Sequence, residues 1–137
     1  MVATINLPRI LRVGAGASGQ LVATLAELGL TRPLLVTDPF IQSCGYCERL
    51  QAPLDAAGIA YGLFSDCVPD PTTDSVYAAL AMLHTGDYDC VVALGGGSSL
   101  DTAKAVAVLA QQGGHMREYK VPRQVDSGLP IIAIPTT

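Results

Sequence analysis

Short apolar segments alternate with segments of helical periodicity along most of this chain. The apolar segments predict strands at 34–37, 59–64, 89–94 and 131–134. Apolar residues at helical spacing predict helices at 18–28 and 41–57, a third helix that ends near Gly86, and a fourth that includes 103–109. Strands and helices that alternate in this way favour right-handed crossovers and a parallel sheet covered on both faces. The predicted fold class is therefore α/β, with a parallel sheet and helices on both of its faces.

Two segments depart from this alternation. Residues 5–13 alternate loosely between apolar and polar or basic side chains and are predicted to form a peripheral strand, where Pro8 can be tolerated because an edge strand leaves some N–H groups unpaired. Residues 113–128 are polar and are predicted to form a solvated excursion before the last strand. At 137 residues, and with no internal repeat or linker, the chain is expected to form one domain.

The composition excludes several classes of protein. Half of the residues are hydrophobic and 15% are charged, which argues against a disordered chain. A formal net charge of −4 provides no basic field for nucleic acid or an anionic membrane surface. The apolar runs are too short for a membrane span, and the amino terminus lacks the order of a secretory signal. Because four cysteines without such a signal are expected to be reduced, the sequence indicates a cytoplasmic protein.

Polar or glycine-rich residues follow three of the predicted strands. Asp38 follows the first strand, a glycine-rich turn at 95–99 follows the third, and Pro135-Thr136-Thr137 follows the last. In a parallel sheet the carboxyl ends of the strands share one edge, and ligands bind outside that edge. We therefore expect these residues to lie along the rim of one site.

Two glycine-rich turns compete for the role of a phosphate-binding loop. The first runs from Gly14 to Gly19, has the GxGxxG spacing of a dinucleotide-binding turn, and is followed about 20 residues later by Asp38. Such glycines let the backbone approach a pyrophosphate closely. The preceding segment contains a proline and two arginines, which make it a poor central strand. The spacing alone therefore does not decide the role of this turn.

The second turn, Gly95-Gly96-Gly97-Ser98-Ser99-Leu100-Asp101, follows a wholly apolar strand and opens a helix. Its glycines can leave N–H groups free for phosphate oxygens, and a serine hydroxyl can add a donor. Ser98 and Asp101 also have the spacing of a capping box, so the same residues could simply form a well-capped turn. On the residues alone, Asp101 is predicted to cap the helix and favour its dipole rather than to act as an acid.

A thiol oxidoreductase is one alternative function. Cys44-Gly45-Tyr46-Cys47 has the spacing of a dithiol redox motif near a helix start, where the dipole would favour a thiolate. That function leaves the triple-glycine turn unexplained. His84 and His115 have no companion at ligand spacing, so the sequence predicts no metal site.

Four motifs occur together in one order and make a resemblance specific. They are Val36-Thr37-Asp38-Pro39, Asp70-Pro71-Thr72, the turn from Gly95 continued to Lys104, and Ile132-Ala133-Ile134-Pro135-Thr136-Thr137. The chain resembles the amino-terminal half of an iron-containing (group III) alcohol dehydrogenase. The resemblance implies that residues 1–137 form a Rossmann-like NAD-binding domain of the dehydroquinate synthase-like fold. In that family an all-helical metal-binding domain follows.

The resemblance also implies roles for residues of the rim. The candidate cofactor-binding residues are Asp38, Gly95, Gly96, Gly97, Ser98, Asp101, Thr136 and Thr137. Asp38 corresponds to the residue that contacts the adenosine ribose, and because a carboxylate repels a 2′-phosphate we expect NAD rather than NADP. The turn at Gly95 would hold the pyrophosphate, with the two threonines beside the phosphates and the nicotinamide ribose. The GxGxxG spacing at Gly14 would then be a coincidence at the start of the first helix.

The metal-binding half of the family is not found in this sequence. In relatives an Asp and three His hold Fe²⁺ or Zn²⁺, which polarises the alcohol oxygen during hydride transfer to NAD. This chain stops at Thr137, where relatives continue, so we expect no catalytic or metal-binding residue in it. The 137 residues are expected to bind NAD(H) without turning over a small alcohol or aldehyde. Relatives dimerise through their amino-terminal strand, so a homodimer is expected, and an inert binding or dimerisation module is the other alternative.

Overall fold

The computed structural model describes residues 1–120, 125 and 127–136. These residues form a four-stranded sheet with strands β1 Pro33–Val36, β2 Gly62–Phe64, β3 Cys90–Gly95 and β4 Ile131–Pro135. The strand order is β2-β1-β3-β4, and every neighbouring pair is parallel. The predicted parallel sheet is confirmed.

Helices cover both faces of the sheet. They are α1 Leu21–Leu28, α2 Pro39–Ser43, α3 Tyr46–Ala56, α4 Thr73–Thr85 and α5 Gly97–Gln112, with 3₁₀ turns at Ala17–Gln20 and Met116–Tyr119. Apolar side chains of α1, α2 and α3 pack on one face, and those of α4 and α5 pack on the other. The predicted α/β arrangement is therefore confirmed. Within the described ranges, no helix has the length and apolar character needed to cross a membrane.

The central strand β3 is buried along its whole length. Because side chains alternate across a strand, Val91 and Ala93 pack with α4 and α5, whereas Val92 and Leu94 pack with the helices of the other face. A strand that is buried on both faces must be apolar throughout, which explains its uninterrupted apolar sequence. The strand ends at Gly95, so the glycine turn starts from a well-packed part of the molecule.

The amino-terminal segment does not form the peripheral strand predicted at 5–13. Residues 1–13, all of them described, form neither helix nor strand, and their large apolar side chains are exposed, apart from the half-buried Ile10. An alternating pattern favours an extended chain, but a strand also needs a hydrogen-bonding neighbour. Pro8 lacks an N–H and removes one donor. The prediction was wrong because alternation does not supply that neighbour.

Two other elements are shorter than predicted. The helix expected at 41–57 is divided into α2 and α3 at Gly45, whose φ of 78° lies in the left-handed region that glycine adopts at low cost. The strand expected at 59–64 is reduced to β2, whose three residues pair with the short strand β1. In the excursion at 113–128, the turn Met116–Tyr119 is described, whereas 121–124 and 126 lie outside the described residues.

Candidate functional site

The carboxyl ends of β1 and β3 lie side by side at the centre of the candidate site. Val36 is in register with Ala93, so the residues that follow β1 lie beside the end of β3. The chain leaves β1 toward α2 and α3 on one face, and leaves β3 toward α5 on the other. A crevice opens at the carboxyl edge where neighbouring strands send their connections to opposite faces. As expected, Asp38 and the glycine turn share one rim.

Thr37 joins the ends of three strands beneath this rim. Its buried hydroxyl donates to the carbonyl oxygen of Leu94 in β3 at 2.7 Å. Its N–H donates to Phe64 of β2 at 2.9 Å, and its carbonyl accepts the N–H of Cys67 at 3.2 Å. Sequence reasoning did not assign this role to Thr37. The available signal was a hydroxyl residue at the end of an otherwise apolar strand, directly before Asp38.

Asp38 acts both as a helix cap and as a carboxylate of the rim. Its Oδ1 accepts the N–H of Ile41 at 2.9 Å and so caps α2. Its Oδ2 faces the glycine turn, where the Ser99 hydroxyl donates to it at 3.4 Å. The side chain is partly exposed. Asp38 therefore opens α2 and also presents a carboxylate oxygen to the glycine turn.

Gly95 occupies a place where a side chain does not fit. Its φ of 144° is one that other residues rarely adopt. A Cβ built on Gly95 would lie 2.7 Å from Ser99 Oγ and 3.3 Å from Asp38 Oδ2. The absence of a side chain here lets the glycine turn, Ser99 and Asp38 come together at the end of β3.

Helix α5 begins within the glycine turn, at Gly97, and has no side-chain cap. Gly96 is its N-cap, and among the described residues no side chain accepts a hydrogen bond there. The predicted capping box is therefore wrong, since Ser98 lies inside the first turn and Asp101 lies further along, paired with Lys104 at 3.2 Å. The helix starts earlier than the spacing suggested because Gly97 is already helical. Uncapped N–H groups and the positive end of the helix dipole can bind an anion at this terminus.

Thr136 is held beside the glycine turn by its backbone. Its N–H donates to the carbonyl oxygen of Gly95 at 2.9 Å, which extends the pairing of β3 with β4 beyond Pro135. Thr136 is exposed. Thr137, the other predicted threonine, lies outside the described residues.

The glycine-rich turn at Gly14 lacks the setting of a phosphate-binding loop. Within the described residues no strand precedes it, and it leads into the 3₁₀ turn Ala17–Gln20 and then α1. Arg12, which lines the depression beside this turn, donates to Glu27 at 2.6 Å and to Thr24 at 3.1 Å. The GxGxxG spacing therefore marks the start of the first helical segment, as the resemblance implied.

The CxxC pair lacks the features of an activated dithiol. Cys44 is exposed, whereas Cys47 is buried, and both are free thiols. Burial and then the charge of Glu48 raise the pKa of Cys47, and these effects outweigh the lowering by a hydrogen bond with Thr37. A thiol that stays protonated at neutral pH is a poor nucleophile. These features do not favour the thiol oxidoreductase alternative.

The two histidines lie at the end of α4 and in the segment after α5. His84 is exposed in the last turn of α4, and His115 Nδ1 lies 3.1 Å from the Tyr77 hydroxyl. Among the residues that the structure describes, no group of three or more His, Cys, Asp or Glu side chains is placed to hold a metal ion. This part of the chain therefore does not fit the Fe²⁺ or Zn²⁺ of the family that the sequence resembles.

Comparison with known sequences identifies related proteins. The family model for iron-containing alcohol dehydrogenase matches residues 8–137. The chain is 38% identical over 140 residues to long-chain-alcohol dehydrogenase 1 of Geobacillus thermodenitrificans, covering 99% of this chain and 35% of that protein. It is 33% identical to NAD-dependent methanol dehydrogenase of Bacillus methanolicus, covering 91% of this chain and 33% of that protein. The chain thus spans about one third of the length of these curated relatives.

Comparison with solved structures gives a consistent result. Sulfoacetaldehyde reductase from Bifidobacterium kashiwanohense, solved in complex with NAD⁺, has a TM-score of 0.86 and 30% identity, covering 100% of this chain and 36% of that chain. A 1,3-propanediol oxidoreductase has a TM-score of 0.83 and 28% identity, covering 90% of this chain and 33% of that chain. Both similarities extend over nearly the whole of this α/β fold.

Proposed function

The chain belongs to the iron-containing alcohol dehydrogenase family, and from this premise we propose that residues 1–137 form an NAD-binding domain. The rim formed by Asp38 and the glycine turn carries the proposal. It has a carboxylate on the β1 side and an uncapped helix terminus on the β3 side. These two groups suit the ribose and the pyrophosphate of a dinucleotide.

Asp38 is assigned to the adenosine ribose. Its Oδ1 is anchored by the N–H of Ile41, while the carboxyl group remains partly exposed at the rim. A carboxylate in this position accepts hydrogen bonds from ribose hydroxyl groups and repels a 2′-phosphate. The proposed cofactor is therefore NAD rather than NADP.

The pyrophosphate is assigned to the backbone at Gly95, Gly96 and Gly97 and to the first turn of α5. Gly95 has the close contacts described above, whereas a Cβ on Gly97 would meet no atom within 4 Å, so space is open in front of the helix terminus. Backbone N–H groups can then approach phosphate oxygens without obstruction. Ser98 supplies a hydroxyl donor within the same turn.

Two threonines at the end of β4 and an aspartate in α5 complete the proposed cofactor site. Thr136 and Thr137, at the end of β4, are assigned to the phosphates and the nicotinamide ribose. The position of Thr136 next to Gly95 supports its part of this assignment. Asp101 stays a predicted contact, although its ion pair with Lys104 is exposed.

We further propose that the parent activity is hydride transfer between a small alcohol or aldehyde and NAD(H). The relatives named above are alcohol dehydrogenases, one of them NAD-dependent. The bound nicotinamide supplies the hydride chemistry, and the residues of this chain bind and orient it. Since the described residues do not fit a metal ion, no catalytic residue is assigned to them. The metal and its ligands are assigned to the all-helical domain of the family, so these 137 residues alone should not oxidise alcohols.

A homodimer and a cytoplasmic location are also proposed. The exposed apolar side chains of Ile5, Leu7, Leu11 and Val13 support association of the amino-terminal segments of two copies, where each could gain a hydrogen-bonding partner. A dimer measured by sedimentation that dissociates when Leu7 and Leu11 are replaced by Ser would support this association, and a monomer at every concentration would contradict it. The four free cysteines favour a reducing compartment.

Titration of NADH against the purified chain tests the main proposal. We expect saturable binding, and an affinity lower by about 10-fold in Asp38→Ala because a charged hydrogen-bond acceptor is lost. Asp87→Ala is the matched control, because this exposed carboxylate lies before β3, at the opposite end of the strand. A folded chain that shows no saturable binding at millimolar NADH would contradict the proposal.

A further inference from the structure

Ser99 is placed to act on the ribose-binding carboxylate from inside the protein. It is the third residue of α5 and is fully buried. Its hydroxyl donates to Asp38 Oδ2 at 3.4 Å, across 61 positions of sequence. Its hydroxyl is therefore closed off from solvent, but it contacts the side chain that is assigned to the ribose.

The two oxygens of Asp38 are held by donors from different sides. Oδ1 accepts the N–H of Ile41, and Oδ2 accepts the hydroxyl of Ser99. A single donor would leave the carboxylate free to turn about its terminal torsion, which is broad. The second donor restricts that rotation. At 3.4 Å this bond is longer than a strong hydroxyl–carboxylate bond, so its effect should be moderate.

The space for this contact is created by Gly95. A Cβ on Gly95 would lie 2.7 Å from Ser99 Oγ, so any side chain there would displace the hydroxyl. The neighbouring buried hydroxyl of Thr102 is directed instead to the carbonyl oxygen of Ser98, at 2.8 Å. In the described part of the chain, Ser99 is thus the hydroxyl residue of α5 that donates to Asp38.

We propose that Ser99 is a positioning residue that fixes the plane of the Asp38 carboxylate and thereby sharpens selection of a ribose 2′-hydroxyl over a 2′-phosphate. This inference rests on the proposed binding of NAD. When the plane of the Asp38 carboxylate is fixed, both of its oxygens keep one orientation toward the ribose. The carboxylate then cannot turn away from the 2′-phosphate of NADPH. Without the Ser99 hydroxyl, the carboxylate can rotate, so NADH loses affinity and NADPH is repelled less.

A double-mutant cycle tests this role. Affinities for NADH and NADPH are measured by fluorescence titration for the wild-type chain, Ser99→Ala, Asp38→Ala and the double variant. We expect Ser99→Ala to reduce the NADH-to-NADPH affinity ratio by about 3- to 10-fold, as befits one hydrogen bond to a charged group at long distance. In the Asp38→Ala background, removal of the hydroxyl should change the ratio less than about 2-fold, because Ser99 acts through Asp38.

A control separates this effect from a general loss of structure. Thr102→Val removes a buried hydroxyl from the same helix that does not contact Asp38, and we expect the ratio to stay unchanged. Ser99→Cys, which replaces the hydroxyl by a weaker donor of similar shape, should lower the ratio in the same direction and provides the measurement if Ser99→Ala does not fold.

The possible results distinguish the inference from the function on which it rests. If the wild-type chain binds neither cofactor, both are overturned. If it binds NADH and the affinity ratio is the same in Ser99→Ala and Ser99→Cys, the positioning role alone is overturned. The positioning role is also overturned if Ser99→Ala changes the affinity ratio equally in the wild-type chain and in Asp38→Ala. Ser99 would then act independently of the carboxylate.

Discussion

The Thr37 hydroxyl donates a 2.7 Å hydrogen bond to the carbonyl oxygen of Leu94 and so joins the ends of β1 and β3 beneath the candidate site. Thr37 is almost completely buried. The residues after it and after Leu94 are Asp38 and Gly95, which lie on the two sides of the candidate site. The spacing of the two sides therefore depends on a buried contact beneath the candidate site.

Replacing Thr37 by Val should destabilise the protein. The change keeps the shape of the side chain but removes the donor to Leu94, and we expect the free energy of unfolding to fall by about 1–2 kcal/mol. Urea denaturation measures this change. Thr85→Val is a suitable control, because its hydroxyl bonds Met82 within an exposed helix end. Equal stability of Thr37→Val and wild type would show that the contact does not hold the two strands together.

Alanine substitution should destabilise the protein at Gly95 but not at Gly97. In Gly95→Ala the new Cβ would be 2.7 Å from Ser99 Oγ at a φ of 144°, so we expect a loss of about 2–4 kcal/mol. Gly97→Ala places a Cβ in open space at the first residue of a helix and should be neutral or stabilising by up to about 1 kcal/mol.

The same pair of variants also separates folding from binding. Gly97→Ala should remain folded yet bind NADH more weakly, because its methyl group enters the space proposed for the pyrophosphate. Thermal unfolding and NADH titration measure the two effects. Similar stability of the two variants, or full NADH affinity in Gly97→Ala, would contradict this interpretation of the turn.

Asp89 should make stability depend on acid pH. Burial raises the pKa of this carboxyl, but hydrogen bonds from the backbone N–H groups of Thr31 and Arg32, with those from the side chains of Cys90 and Thr31, together outweigh it, so the pKa lies below its ordinary value of 3.8. Its contribution is therefore present above about pH 4 and is lost as the pH falls through the lower, folded-state pKa. We expect Asp89→Asn to cost about 1–2 kcal/mol at pH 7 and less at pH 3.

Urea denaturation at several pH values checks this prediction. Asp87→Asn, an exposed carboxylate two positions away, should change stability little at any pH. A destabilisation by Asp89→Asn that is the same at pH 3 and pH 7 would show that the charge of Asp89 does not contribute.

Replacing Ser75 by Ala should stabilise the protein. The Ser75 hydroxyl is buried and has no hydrogen-bond partner among the residues that the structure describes. Its N–H still bonds the capping hydroxyl of Thr72, and this bond does not need the side chain. We expect the free energy of unfolding to rise by about 0.5–1 kcal/mol, because an unpaired buried hydroxyl is removed. A loss of stability on calorimetric unfolding would indicate that the hydroxyl has a partner, and exposed Ser43→Ala serves as the comparison.

The four cysteines should react with a thiol reagent in two classes. Cys44 is exposed, whereas Cys47, Cys67 and Cys90 are buried, and burial is the main reason why the pKa of each of these three lies above its ordinary value. At pH 8 one thiol should react rapidly and the other three should react after unfolding in urea. Cys44→Ser should abolish the rapid phase. Rapid reaction of two thiols in the native chain would restore the dithiol alternative.

The fold could be predicted largely from local sequence. β3 was recognisable because a strand buried on both faces needs apolar side chains throughout, and α4 because Val76, Leu80 and Leu83 lie on one helical face. The break at Gly45 and the unpaired segment at 5–13 could not be predicted in the same way. The segment at 5–13 depends on which other part of the chain is available as a partner, and periodicity does not report that. The break at Gly45 depends on a left-handed backbone conformation that glycine permits but does not require.

The sequence by itself determined the α/β class and the positions of Asp38 and the glycine turn on a shared edge, because the order of strands and turns places all carboxyl ends together. Only the tertiary structure decided which polar atoms meet there. The pairs Thr37 with Leu94 and Ser99 with Asp38 are separated by 57 and 61 positions. Their contact depends on strand register and on the residue at which α5 starts. The helix starts before the predicted cap because Gly97 is part of it. Long-range hydrogen bonds of this kind follow from packing rather than from the spacing of residues along the chain.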